Sequence, residues 1–98
     1  MEQAANSAGI PADARPRLRR GVRLVDSAAH GGTVLLAPER VFKADVIAAA
    51  ILARCNGTAM LSEIVDALAA EHKAPRERVL ADVRTLLRGL ADKQLLEF

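Results

Sequence analysis

An α+β, winged-helix-like domain, with a three-stranded antiparallel sheet followed by three helices, is what the order of patterns along this chain predicts. Three observations carry that prediction. The stretch VLLAPERVFKAD (34–45) reads as two short strands that meet at a Pro-Glu corner and run straight into a helix start. Further on, apolar residues recur at offsets of three and four, first Leu61, Ile64, Val65 and Leu68, then Val79, Val83, Leu86, Leu87 and Leu90. Gly, Pro and Asn separate these segments, so strands come first and helices after, unlike the alternation of a parallel α/β sheet.

The 98 residues suffice for one small domain, and 51% hydrophobic residues give it a modest core without disulfide staples. Cys55 is the single cysteine, which excludes an internal bridge, and the Cys and His spacing of a zinc site is absent. No apolar run approaches the roughly 20 residues that span a bilayer, and Glu2 precedes any basic residue, unlike the start of a signal peptide. A soluble, cytoplasmic protein without membrane association is expected. Net charge is +2, yet Arg15, Arg17, Arg19, Arg20 and Arg23 crowd into residues 15–23. Such clustering favours an acidic partner, nucleic acid or peptide, while a solvated strand and its lead-in would carry the same pattern.

Element by element, residues 1–15 hold Ile10 as their one sizeable apolar side chain besides Met1 and are expected to form a disordered N-terminal tail, leaving 16–98 as the domain. Leu18, Val22 and Leu24 then share one face of a first strand, with Arg19 and Arg23 on the other and Arg20-Gly21 interrupting it. DSAAHGG (26–32) is a turn of small residues, and the β-branched and apolar residues 33–37 supply a second strand, paired with the first as a hairpin. Pro38 has no N–H to donate and suits a strand end. Alternation over 40–44 puts Phe42 and Ala44 on one face of the third strand and Val41 and Lys43 on the other. Asp45 is placed to accept from the free amides of the next turn, so VIAAAILARC (46–55) should be helical up to the left-handed stop Asn56-Gly57, with Ile47, Ile51 and Cys55 buried. Cys55 is thereby a core thiol. The second helix turns Ser62, Glu63, Asp66 and Glu71 outward, opposite its apolar stripe. Residues 72–74 turn the chain, Pro75 fits the first turn of the third helix, and Glu77, Arg84 and Arg88 face away from its stripe. Leu95, Leu96 and Phe98 tack the C-terminus onto the core.

For catalysis the supply of groups is thin. His30 sits in a glycine-rich turn and His72 at a helix end, and the acidic pairs Glu63 with Asp66 and Glu77 with Asp82 have spacings found on any solvated helix face. Gly31-Gly32 lacks the Lys-Ser/Thr that would make a phosphate loop. No enzymatic activity, cofactor or metal is expected. A winged-helix DNA-binding transcriptional regulator is the alternative, its third helix meeting phosphates through Arg76, Arg78, Arg84 and Arg88. Against it, Glu77 and Asp82 interrupt the basic face where base contacts are made, and that end has no Asn or Gln to read adenine. The remaining option uses the backbone. If the third strand lies at a sheet edge beside the third helix, an extended peptide can complete its ladder, with Val41 and residues near Leu86 as floor and Arg78, Asp82 and Lys43 reading the guest's charges. Opening of the DSAAHGG turn would instead let two copies exchange strands, so a monomer or a strand-exchanged homodimer is expected.

The run LLAPERVFKADVIAAAILARCNG, followed by EIVDALA and VLADVRTLLRGLADKQLL, resembles the pyrroloquinoline quinone biosynthesis protein D family over about residues 16–98. Members of that family show LLxPE, a Leu-Asn before the first helix, an Ile-Leu and a Gly at its end, Glu-Ile in the second helix and Asp-Val in the third. Here Ala44-Asp45 stands in place of Leu-Asn, and Met60 in place of a Ser or Thr cap, changes expected to soften local stability. The resemblance implies a peptide chaperone that binds the precursor peptide PqqA and presents it to the radical S-adenosylmethionine enzyme PqqE, with no cofactor of its own. It further implies that the precursor adds as a strand beside the third strand and lies along the third helix. Carried over to this sequence, the peptide-binding residues are Arg40, Val41, Phe42 and Lys43 on the strand and Arg78, Asp82, Val83 and Leu86 on the helix.

Overall fold

The computed structural model describes residues 10–98; residues 1–9 of the expected tail lie outside the described residues. In chain order the elements are β1 (Arg17–Leu18), β2 (Arg23–Ser27), β3 (Gly32–Ala37), β4 (Arg40–Lys43), α1 (Val46–Ala53), α2 (Leu61–His72), α3 (Arg76–Asp92) and β5 (Leu96–Glu97). Strands β2, β3 and β4 form an antiparallel sheet in that order, and three helices follow it, as the sequence predicts. A second sheet, of β1 with β5, is not foreshadowed by the local pattern.

The first predicted strand divides in two. Gly21 adopts φ +85°, and Val22 N–H donates to the Arg19 carbonyl at 3.0 Å, so the chain turns sharply between β1 and β2. Beyond the turn, β2 continues through Ser27 into the segment expected as a loop, where Thr33 Oγ1 donates to Asp26 Oδ1 at 2.8 Å across the hairpin. Only a short 3-10 turn, Ala28–His30, and Gly31 remain between the strands. β1 pairs instead with the C-terminus, Arg17 opposite Glu97 and Leu18 opposite Leu96, with Arg17 Nε 2.6 Å from Glu97 Oε2.

Strand β3 is central, and its register sets Leu24, Leu35 and Phe42 side by side on the face toward the helices. Leu35 joins the core cluster, with Leu24 and Phe42 packed against it. Val34, equally buried, lies outside that cluster, because alternation turns it to the opposite face beside Val25 and Lys43. At the β3–β4 corner Pro38 supplies a fixed φ and Glu39 takes φ +63°, the pattern of a type II turn. Asp45 caps α1 as predicted, accepting from the Ala48 N–H at 2.7 Å.

The buried helical residues are Ile51, Leu52, Leu61, Ile64, Val65, Leu68, Val83, Leu87 and Leu90, and Leu95 and Leu96 close the core from the C-terminus. Two expectations fail here. Phe98 is 47% exposed, since the chain passes β5 before reaching it, and Ile47 is 52% exposed because the space beside it, between α1 and α3, is left open.

Residues 10–15 are anchored rather than tail-like, through the side chains of Ile10 and Ala14 and through backbone hydrogen bonds. Ile10 is 1% exposed within the core, and both Arg84 Nε and Arg84 Nη2 donate to its carbonyl, at 3.2 and 3.1 Å. Immediately downstream, the carbonyls of Ala14 and Ala12 accept from the Leu61 and Ser62 amides at 2.8 and 3.0 Å, and Glu63 Oε1 accepts from the Met60 N–H at 2.7 Å. The first amides of α2 are thus satisfied by a distant backbone segment, which offsets the missing Ser or Thr cap. Cys55 is buried as expected, its Sγ donating to the Ile51 carbonyl at 3.4 Å, and burial pushes its thiol up from 9.0 to about 12.

Replacing Ile10 with Ala should destabilise the domain by about 2–4 kcal/mol in chemical unfolding, whereas a true tail residue would give no change. The raised Cys55 thiol means that the unfolded chain loses its proton first. Stability is therefore fully present below about pH 9 and falls between pH 9 and 12, by at most about 1.4 kcal/mol per pH unit from this group. The native thiol should accordingly resist a disulfide reagent at pH 8 until the chain unfolds; immediate labelling would contradict its burial.

Candidate functional site

Hydrogen bonding across the β3–β4 hairpin decides which backbone groups of β4 are free. Ala44 N–H donates to the Thr33 carbonyl at 3.0 Å, so Thr33 and Ala44 form a bonded pair. Antiparallel alternation then makes Leu35 with Phe42 and Ala37 with Arg40 bonded pairs as well, and leaves Val34 with Lys43 and Leu36 with Val41 unbonded. The N–H and C=O of Val41 and Lys43 consequently point away from the sheet. Among the described residues no strand lies beyond β4.

β4 meets the end of α3, and past the strand's last residue a trough opens between α1 and α3. At one end of the strand Arg40 Nη2 lies 3.4 Å from the Lys93 carbonyl, just past α3, and beyond the other Asp45 shares a hollow with Ile47, Ala48, Ile51, Asp82 and Leu86. That hollow continues into a second, lined by Ile47, Ile51, Leu68, His72, Ala74, Arg78, Val79, Asp82 and Val83. Its volume is about 240 Å³, below the roughly 300 Å³ at which small-molecule sites begin and suited to one or two side chains.

The structure separates the predicted site residues by where they lie around the edge and the trough. Phe42 faces the core side of β4, with the Arg40 guanidinium 5.3 Å from its ring centroid, and Leu86 packs half-buried against the same core. Arg78, Asp82 and Leu86 succeed one another at four-residue spacing along α3, the first two exposed on the trough's rim. Val83 is fully buried and forms the bottom of the hollow. Val41 is 48% exposed on the sheet face away from the helices, so it is no floor of the trough, and Lys43 shares that face; both border the edge through their backbone. Sequence reasoning missed Ile47, which lines both hollows. The available signal was the helix VIAAAILA itself, which carries no polar face to present to water.

Of the arginines expected to meet DNA phosphates, Arg76 is engaged by Asp66 at 2.5 Å, Arg88 by Asp92 at 3.6 Å and Arg84 by the Ile10 carbonyl. Arg78 alone of these four has no such partner among the described residues.

By architecture the chain falls into the class of small winged-helix-like domains, here with a sheet that ends on an open edge leading into an apolar trough. The chain belongs to the family described as coenzyme PQQ synthesis protein D (PqqD), whose model matches residues 32–96. It is 47% identical to the PqqA binding protein of Xanthomonas axonopodis pv. citri, over 90% of this chain and 96% of that one. The PqqA binding protein of Bradyrhizobium diazoefficiens is 44% identical over 84% of this chain and 80% of its own length. Among solved structures, the solution structure of the PqqD truncation of Methylobacterium extorquens PqqCD superposes with a TM-score of 0.79 at 36% identity, covering 95% of this chain and 99% of that one. It is described as a functional, stand-alone recognition element for ribosomally synthesized and post-translationally modified peptides. The crystal structure of PqqD from Xanthomonas campestris matches with a TM-score of 0.59 at 43% identity, covering 91% of this chain and 99% of that one.

Proposed function

We propose that this chain is a peptide chaperone of pyrroloquinoline quinone biosynthesis, which binds the precursor peptide PqqA by adding it as a strand to β4 and presents it to the radical S-adenosylmethionine enzyme PqqE. The observation that carries the proposal is the pair of outward backbones, Val41 and Lys43, on a strand that leads at Asp45 into the trough between α1 and α3. A guest strand in antiparallel register there gains two donors and two acceptors, on the order of 2–6 kcal/mol net before the cost of ordering it. Its alternate side chains reach down to Phe42, Leu86 and Ile47. Backbone pairing supplies affinity, and the trough selects the sequence. The relatives named as PqqA binding proteins support PqqA as the guest.

The role assigned to the chain is binding and presentation, with the chemistry left to PqqE. No described helix is long and apolar enough to cross a membrane. The working unit is proposed as a monomer or as a homodimer exchanging strands through the turn at residues 28–31, and light scattering over a dilution series distinguishes the two by mass.

Val41→Pro removes one outward N–H without touching a β3–β4 bond, and it demands an extended Arg40, which the strand already provides. The variant should keep its circular dichroism spectrum and melting point while binding PqqA at least about tenfold more weakly in calorimetry. Unchanged affinity would contradict strand addition. Asp82→Lys, on the opposite wall, should also alter PqqA affinity, by about threefold or more; no change would remove α3 from the site.

A further inference from the structure

The arginine cluster that stands out in the sequence has no place in the strand-addition site itself, yet the fold gathers part of it at one end of that site. Arg19 donates its N–H to the Leu95 carbonyl at 2.9 Å, two residues beyond Lys93. Arg20 precedes Gly21, whose Cα lies so close to the Pro38 ring that a Cβ there would sit 3.7 Å from it. Arg40 comes two residues after Pro38 and reaches the Lys93 carbonyl. Three chain segments far apart in sequence thus bring Arg19, Arg20, Arg40 and Lys93 to the end of β4 that meets the C-terminus of α3.

Among the described residues no side chain forms an ion pair with these cations. The ion pairs there are Arg17 with Glu97, Arg54 with Glu71, Arg76 with Asp66 and Arg88 with Asp92. Glu39, at the hairpin corner, is the one carboxylate within the same turn, and Asp92 is already held by Arg88. At the other end of β4 the charges balance, with Asp45 and Asp82 on a shared hollow set against Lys43 on the strand and Arg78 on the continuing hollow. The strand edge is therefore electrically polar along its length.

From this polarity, and resting on the strand-addition reading above, we infer that the Arg19, Arg20, Arg40 and Lys93 cluster is a subsite for an acidic segment lying immediately C-terminal to the docked strand of the guest peptide. β4 runs from Arg40 to Lys43, so an antiparallel guest enters beside Lys43 and leaves beside Arg40, with its downstream flank over the cluster. Antiparallel pairing is also the more stable arrangement per residue. Carboxylates on that flank meet guanidinium groups able to bind them in a bidentate fork. The cluster thereby fixes the direction in which the guest is held, and steers its approach at low ionic strength.

The test uses the full chain, its R19E/R20E and K93E variants, and synthetic PqqA, unlabelled or carrying a nitroxide at one terminus. Arg19 holds the fold through its backbone and both arginine side chains are exposed, so the variants should melt with the unaltered chain. At low salt (~0.05 M) R19E/R20E should bind PqqA about tenfold more weakly and K93E about threefold, and both deficits should shrink at ~0.5 M salt. A nitroxide on the PqqA C-terminus should broaden the amides of Arg19, Arg20 and Lys93, and one on the N-terminus should leave them sharp. Wild-type affinity in both variants, or broadening from the N-terminal label alone, overturns the inference while Val41→Pro still reports on strand addition. Absence of any PqqA binding by the unaltered chain overturns both.

Discussion

Leu35 and Phe42 face each other as a hydrogen-bonded pair across the β3–β4 hairpin, and that single register determines how the whole edge is presented. It points Phe42 toward the helices, where it joins Leu86 near the core, and it points the backbones of Val41 and Lys43 outward, away from any strand of the sheet. A slip of one residue would exchange these roles, putting Val41 into the core and turning Phe42 to solvent. The corner Pro38-Glu39 guards against it, since proline at the first position and the positive φ of Glu39 suit only a two-residue loop closed by Ala37 and Arg40.

An open edge is useful only if the wall beside it stands still. α3 is held by Val83, Leu87 and Leu90 in the core, and Arg84 ties its middle to the Ile10 carbonyl. The same N-terminal segment caps the first amides of α2 through Ala12 and Ala14. One stretch of backbone thus braces both helices, and does so from the side opposite the trough, leaving Ile47 and Asp82 uncovered.

Where neighbouring residues decide the structure, the sequence is informative. The Pro-Glu corner, the Asp45 cap and the stripes of α2 and α3 are all local signals, and each element lies within a few residues of its expected place. Where distant segments decide it, local pattern is blind. β1 pairs with β5 across almost the whole chain, and nothing around Leu18 announces that partner, so alternation alone runs the strand through the Gly21 turn as one piece. Ile10 looks like a lone apolar residue in a polar stretch, because its burial depends on a gap left by elements that come later. The outward set of β4 is half legible: alternation names the faces correctly, but which backbones are free depends on the bonded pairs with β3. Assigning Val41 to the floor confuses the direction of its side chain with that of its peptide groups.

The central claim is that the peptide groups of Val41 and Lys43 are unpaired in the free chain and become paired when a strand is added. Residue-resolved amide hydrogen exchange with and without PqqA measures this directly. Fast exchange at Val41 and Lys43 beside protected Phe42 in the free protein, with marked slowing at the first two upon adding the peptide, is the predicted result. Protection already present at Val41 and Lys43 in the isolated chain, unaltered by saturating PqqA, would contradict the account.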